Sequence, residues 1–176
     1  MLEVGITQGR LSRPVNGKIQ SFPEKSWKDE FYIANSIGFN LIEWIIDEDL
    51  NNPIFKKNFS DELDFYKKSN NINVNSLSCD YFMHNSLSAE SENYNKESFE
   101  ILDELISKVL PLNKINKLIL PLINKTSLKK KNIAESYAEV FKRFETKLIK
   151  NNVTISLETD LNPKDFFQFL KKINEK

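Results

Sequence analysis

Val153-Thr154-Ile155-Ser156-Leu157-Glu158 alternates residue by residue between apolar and polar side chains, and Thr-Asp-Leu-Asn-Pro163 follows it. A period of two is the mark of a β-strand with one greasy face and one polar face, here with a carboxylate at its end. Asn162 followed by Pro163 is a cap-and-first-turn signal for a helix, and Phe166, Phe169 and Ile173 then repeat at helical spacing. The unit is therefore strand, short polar loop, helix.

The same unit recurs upstream. Short apolar runs at 2–7, 41–46, 74–79 and 118–123 precede segments with helical periodicity. In the third run Leu77 and Cys79 share one face, while Ser76, Ser78 and Asp80 share the other. Ser26 is placed to cap a helix carrying Trp27, Phe31, Ala34 and Ile37 and ending at Gly38, and Ser60 to cap a second with Leu63 and Tyr66 inward. Leu102, Leu105, Ile106 and Val109 form a third stripe that Pro111 should stop. A fourth, from about 133 to 149, carries Ile133, Tyr137, Phe141, Phe144 and Leu148.

Strands alternating with helices every roughly 35 to 40 residues imply right-handed crossovers and a parallel sheet. Two α/β architectures fit: an open doubly wound sheet of five strands, or an arc of about five βα units from a (β/α)₈ barrel. Alternation favours the arc. A central strand in a doubly wound sheet is covered by helices on both faces and reads as continuous Val, Ile and Leu, whereas a barrel strand has helices on one side only.

Composition narrows the function classes. The 176 residues read as a single domain, 1–176, with 40% hydrophobic residues, thirteen Phe and two Trp for a core. Lysine and arginine balance aspartate and glutamate at 25 each, so no global charge draws nucleic acid or anionic membrane. No apolar run approaches the about 20 residues of a membrane span. One cysteine excludes an intramolecular disulfide, and the first residues lack the pattern of a signal peptide; both point to the cytoplasm. No Gly-rich phosphate loop, dinucleotide fingerprint, CxxC pair or HExxH occurs.

In α/β barrels the chemistry sits where strands end. Those positions are Thr7-Gln8-Gly9-Arg10, Glu43 and Asp47, Asp80 with His84, Asn124, and Glu158 with Asp160. Cys79 faces the helices by parity and reads as packing, and Lys129-Lys-Lys131 as a solvated run.

These residues also carry a resemblance. Val4-Gly-Ile-Thr-Gln-Gly-Arg-Leu-Ser-Arg-Pro14, Ser21-Phe-Pro23, Ile37-Gly-Phe-Asn-Leu-Ile-Glu-Trp44, Ser76-Leu-Ser-Cys-Asp-Tyr-Phe82 and Ile155-Ser-Leu-Glu-Thr-Asp160 resemble, in order, the N-terminal part of the sugar phosphate isomerase/epimerase family. That family belongs to the xylose isomerase-like TIM barrels, which also include family-2 apurinic endonucleases. The resemblance implies a divalent metal (Mn, Mg, Co or Zn) held in part by Glu158, which would also be the catalytic carboxylate. It further implies a sugar or sugar phosphate lined by Gln8, Arg10, Glu43, Asp80 and His84.

Moving a carbonyl, or inverting the carbon beside it, needs a base for a weakly acidic proton and a group that stabilises the enediolate. Only five of eight units are expected here. The chain is accordingly expected to be a truncated, inactive isomerase, or a non-catalytic sugar-binding or barrel-completing module. Its open sheet edges would favour self-association or a partner chain.

Overall fold

The computed structural model describes residues 2–15, 17–18, 21–87 and 95–174. Its five strands are β1 Gly5–Thr7, β2 Leu41–Ile46, β3 Asn73–Cys79, β4 Lys117–Leu122 and β5 Thr154–Thr159. All pairs are parallel, and the order across the sheet is β1-β2-β3-β4-β5. A doubly wound sheet reverses its strand order at a switch point. This one never reverses, so the fold is a partial α/β barrel, and the doubly wound alternative is set aside.

Seven helices join or follow the strands among the described residues: α1 Trp27–Ser36, α2 Phe59–Asn70, α3 Tyr81–His84, α4 Lys96–Glu104, α5 Leu110–Leu112, α6 Lys131–Asn151 and α7 Pro163–Asn174. Their apolar stripes cover one face of the sheet, where Ile42, Trp44, Ile46, Leu77, Cys79, Leu118, Leu120 and Leu122 are buried. Trp44 centres an aromatic cluster, with the rings of Trp27, Phe59 and Phe22 at 5.5, 5.3 and 5.4 Å. Its indole N–H donates to Asn52 Oδ1 at 3.0 Å, and Asn52 Nδ2 donates to the Ile45 carbonyl at 2.8 Å, which pins the loop after β2.

Several local expectations need correction. Ser26 makes no capping bond and donates to Ser12 Oγ instead. Because α1 ends at Ser36 and Gly38 takes φ +95°, Ile37 turns out to solvent and is 58% exposed. Ser60 lies inside α2, whose cap position is Asn58. Pro111 does not stop the third stripe. Between α4 and α5 the backbone widens into a π-helical segment, Leu105–Val109, so the Leu110 amide bonds to the Leu105 carbonyl, and Pro111 continues the helix. Asn162 does cap α7, its Oδ1 accepting from the Asp165 amide at 3.0 Å.

Candidate functional site

The strand register stacks the inward side chains in rows. Glu43 lies between Thr7 and Ser76 in one row, and Ile45, Ser78, Ile119 and Ser156 form the next. Pro121 pairs with Glu158, and continuing the β3 register by two residues places Asp80 beside them. Row by row toward the C-terminal ends of the strands, this concave face gains acid: Glu43, then Asp47, Asp80 and Glu158.

Glu43 is half-buried, accepting from Thr7 Oγ1 at 3.4 Å and Ser76 Oγ at 3.2 Å. Asp80, with Ser78 Oγ at 3.5 Å, is pushed up to about 6, first by burial and then by the charges of Asp47 and Glu158. Because that value lies above the ordinary carboxylate range, ionised Asp80 is the penalised form. Its contribution to stability is present below the unfolded value of about 3.9 and is lost as pH rises through about 6. Asp80→Asn is therefore expected to be more stable than the parent by about 1–2 kcal/mol near neutral pH, after allowance for solvent screening, and equally stable near pH 4. Urea denaturation at the two pH values checks this; an Asn variant less stable at neutral pH would contradict it.

Glu158 faces the same side as Asp80 but is exposed, since β5 has a neighbour on one side only. Ile155 and Leu157 lie on the opposite face, as the alternation requires, where they line a cleft of about 420 Å³ with α6 and α7. His84, four residues past Asp80, has its Nε2 at 3.0 Å from Glu48 Oε1. Gln8 is buried; its backbone amide donates to the Glu43 carbonyl at 3.0 Å and its Oε1 accepts from the Ile45 amide at 3.4 Å, leaving Nε2 buried without a partner among the described residues. Arg10 lies exposed on the loop beyond it. Cys79 is fully buried, with burial pushing its thiol far up, which fits packing rather than reactivity.

The loop that carries Gln8 and Arg10 is organised by Glu30, which the sequence reading did not single out. Glu30 is buried in α1, and its carboxylate accepts from the Gly9 amide at 3.1 and 3.0 Å and from the Leu11 amide at 3.2 Å. Burial raises its carboxyl, and these amides oppose the rise. The signal was present: Glu30 fills the i+3 slot of the stripe Trp27, Phe31, Ala34, where an apolar residue is expected. Asp47 holds the second half of the same loop, accepting from Ser21 Oγ at 2.7 Å and from the Phe22 amide at 3.0 Å. Across the site, Asp160 ties the loop after β4 to the loop after β5 through Ser127 Oγ at 2.8 Å and Lys129 Nζ at 3.2 Å.

Among the described residues no group of three or more His, Cys, Asp or Glu could hold a metal ion. A catalytic metal takes three or four protein ligands, so these residues alone do not fit the divalent ion that the resemblance implies. No helix is long and apolar enough to cross a membrane among the described residues.

Solved structures share this fold. D-psicose 3-epimerase from Clostridium cellulolyticum H10, solved with D-tagatose, has a TM-score of 0.68 at 16% identity over 85% of this chain and 55% of its own. The probable 3-DHS dehydratase AsbF from Bacillus anthracis has 0.66 at 14%, over 99% and 60%. An IolI protein with a bound zinc atom has 0.57 at 17%, over 84% and 53%. A sugar phosphate isomerase/epimerase and a xylose isomerase domain protein have the fold as well, the group to which the sequence resemblance points. At these identities the likeness is one of fold, and the chain spans little more than half the length of the structures it matches. No protein-family model and no curated protein matches the chain.

Proposed function

We propose that this chain forms one side of the substrate site of a sugar or sugar-phosphate isomerase or epimerase. The observation that carries the reading is the acidic row Asp47, Asp80, Glu158 above Thr7, Glu43 and Ser76, on the inner face of a barrel arc shared with a D-psicose 3-epimerase. Ser76, Ser78 and Glu43 are suited to sugar hydroxyls, and Gln8 and Arg10 extend that face on the first loop. Asp80, raised to about 6, is poised to exchange a proton near neutrality. Glu158, open to solvent at the end of β5, is the carboxylate to take the proton beside a carbonyl. A divalent ion would supply polarisation of that carbonyl, with Glu158 as the ligand from this chain. One such ligand is too few, so these 176 residues by themselves are expected to bind sugar weakly and to turn nothing over. The single-neighbour edges of β1 and β5 support completion of the arc by further βα units, whether from the same polypeptide, a second copy or another chain.

The test is saturation-transfer NMR with D-psicose and D-tagatose. A signal is expected from the parent and a clear loss from the double variant Glu43→Gln/Glu158→Gln. No signal from the parent, or equal signals from both, would contradict the reading.

A further inference from the structure

A second charged site lies at the other end of the sheet. Asn73 opens β3 and Lys114 lies three residues before β4, so both belong to the N-terminal ends of the strands, away from Asp80 and Glu158. With Asp64, Lys67, Lys68 and Asn71 they line an open cleft of about 460 Å³. Three ammonium groups face a single carboxylate. Asp64 Oδ1 is 3.7 Å from Lys67 Nζ, and Oδ2 makes a close ion pair with Lys114 Nζ. The side chain of Lys67 is 14% exposed, so its charge is poorly hydrated as well as under-compensated. Burial lowers its pKa, and the neighbouring Lys114 and Lys68 lower it further against the opposing pull of Asp64.

In a chain whose charges balance overall, this cleft holds a local surplus of two positive charges (three Lys against one Asp). The C-terminal end of α2 accounts for Lys67 and Lys68, because a helix end attracts cations. It does not account for Lys114, which comes from a different loop. Lys114 holds φ +57°, a left-handed conformation that costs a residue with a Cβ about 1 kcal/mol or more. Glycine would hold that turn more cheaply, and lysine there brings a third ammonium over Asp64. Asn71 and Asn73 add amide groups able to hydrogen-bond an oxyanion.

We propose that this cleft binds a small dianion of the phosphate or dicarboxylate class between Lys67, Lys68 and Lys114, independently of the sugar site. Calorimetry of the full chain with inorganic phosphate, and separately with malonate, tests it against chloride at equal ionic strength. Saturable binding is expected, weakening as salt is raised. Lys114→Gly, which removes the charge while relieving the backbone, should fold and bind phosphate about five- to tenfold more weakly, with ketose binding at the concave face unchanged. Asp64→Asn should tighten binding by about threefold or more, which a purely structural Asp64 would not do. Phosphate binding alone would assign the phosphoryl class, and equal binding of malonate would assign dianions in general. No saturable heat above chloride, or phosphate binding unchanged in Lys114→Gly, overturns the proposal.

Discussion

Gly9→Ala is expected to cost about 4 kcal/mol of folding stability, enough to unfold most of a marginally stable domain. Gly9 holds φ +87°, and a Cβ built on it would lie 2.3 Å from the Ser21 carbonyl oxygen and 3.2 Å from the Ser21 amide nitrogen. Both are backbone atoms, and Ser21 is itself held by Asp47 through its hydroxyl, so the neighbour has little room to yield. Overpacking against fixed atoms costs about 1–3 kcal/mol and the left-handed conformation a further 1–2 kcal/mol or so. The midpoint of urea denaturation gives the answer directly. A loss below about 1 kcal/mol would mean that the loop 8–12 is not packed against Ser21 as described.

Glu30→Ala comes second, at about 3 kcal/mol. It leaves the buried Gly9 amide and the Leu11 amide without their acceptor, and an unsatisfied buried donor costs about 1–3 kcal/mol. Relief of a buried carboxylate offsets part of this, since burial raises the Glu30 pKa. Glu30→Gln keeps one acceptor oxygen and should lose only about 1 kcal/mol. The ordering Ala worse than Gln distinguishes loss of the acceptor from loss of the charge, and amide exchange at Gly9 and Leu11 should speed up in the Ala variant. Gly9 and Glu30 are two halves of one device: the chain after β1 turns sharply into the core, and a carboxylate from α1 gathers the amides that the turn exposes.

That device shows what local pattern conveys and what it does not. Alternation in 74–79 and 153–158 gave the two faces of the sheet, and the stripe from Ile133 to Phe144 gave α6, because burial imposes a period on side chains a few residues apart. The same alternation favoured the barrel arc over the doubly wound sheet, since helices on one side of a sheet leave the other free for Ser76, Ser78 and Glu158; the strand order itself comes from the fold. The register that aligns Asp80 with Glu158 joins residues 78 positions apart, and no local period reports it.

The polar gap that Glu30 leaves in its stripe was legible, but its role was not, for a related reason. Its partners are backbone amides some twenty residues earlier, so its place in an apolar stripe looks like a defect until the loop is present. His84 has a partner of the same kind: the fold sets its Nε2 3.0 Å from Glu48 Oε1, a contact that no local period reports. The continuation through Pro111 depends on five consecutive residues shifting to wider hydrogen bonding, a backbone choice with no side-chain period of its own.

Asp80 connects stability to the proposed chemistry. A carboxylate kept protonated toward neutrality weakens the fold there, and Asn in its place should strengthen it; a site bought with stability is a common trade in enzymes. The acidic row also places like charges side by side, which a fold tolerates where a ligand or cation relieves them.

The central claim is that the concave, C-terminal face of this arc is where a sugar binds. Amide shift mapping by two-dimensional ¹H–¹⁵N NMR during titration with D-psicose tests it most directly. The expected perturbations fall on Thr7 to Arg10, Glu43 to Asp47, Ser76 to His84 and Glu158 to Asp160. Perturbations confined to the cleft between α6 and α7 or to the lysine cleft around Asp64, or none at saturating sugar, would contradict it.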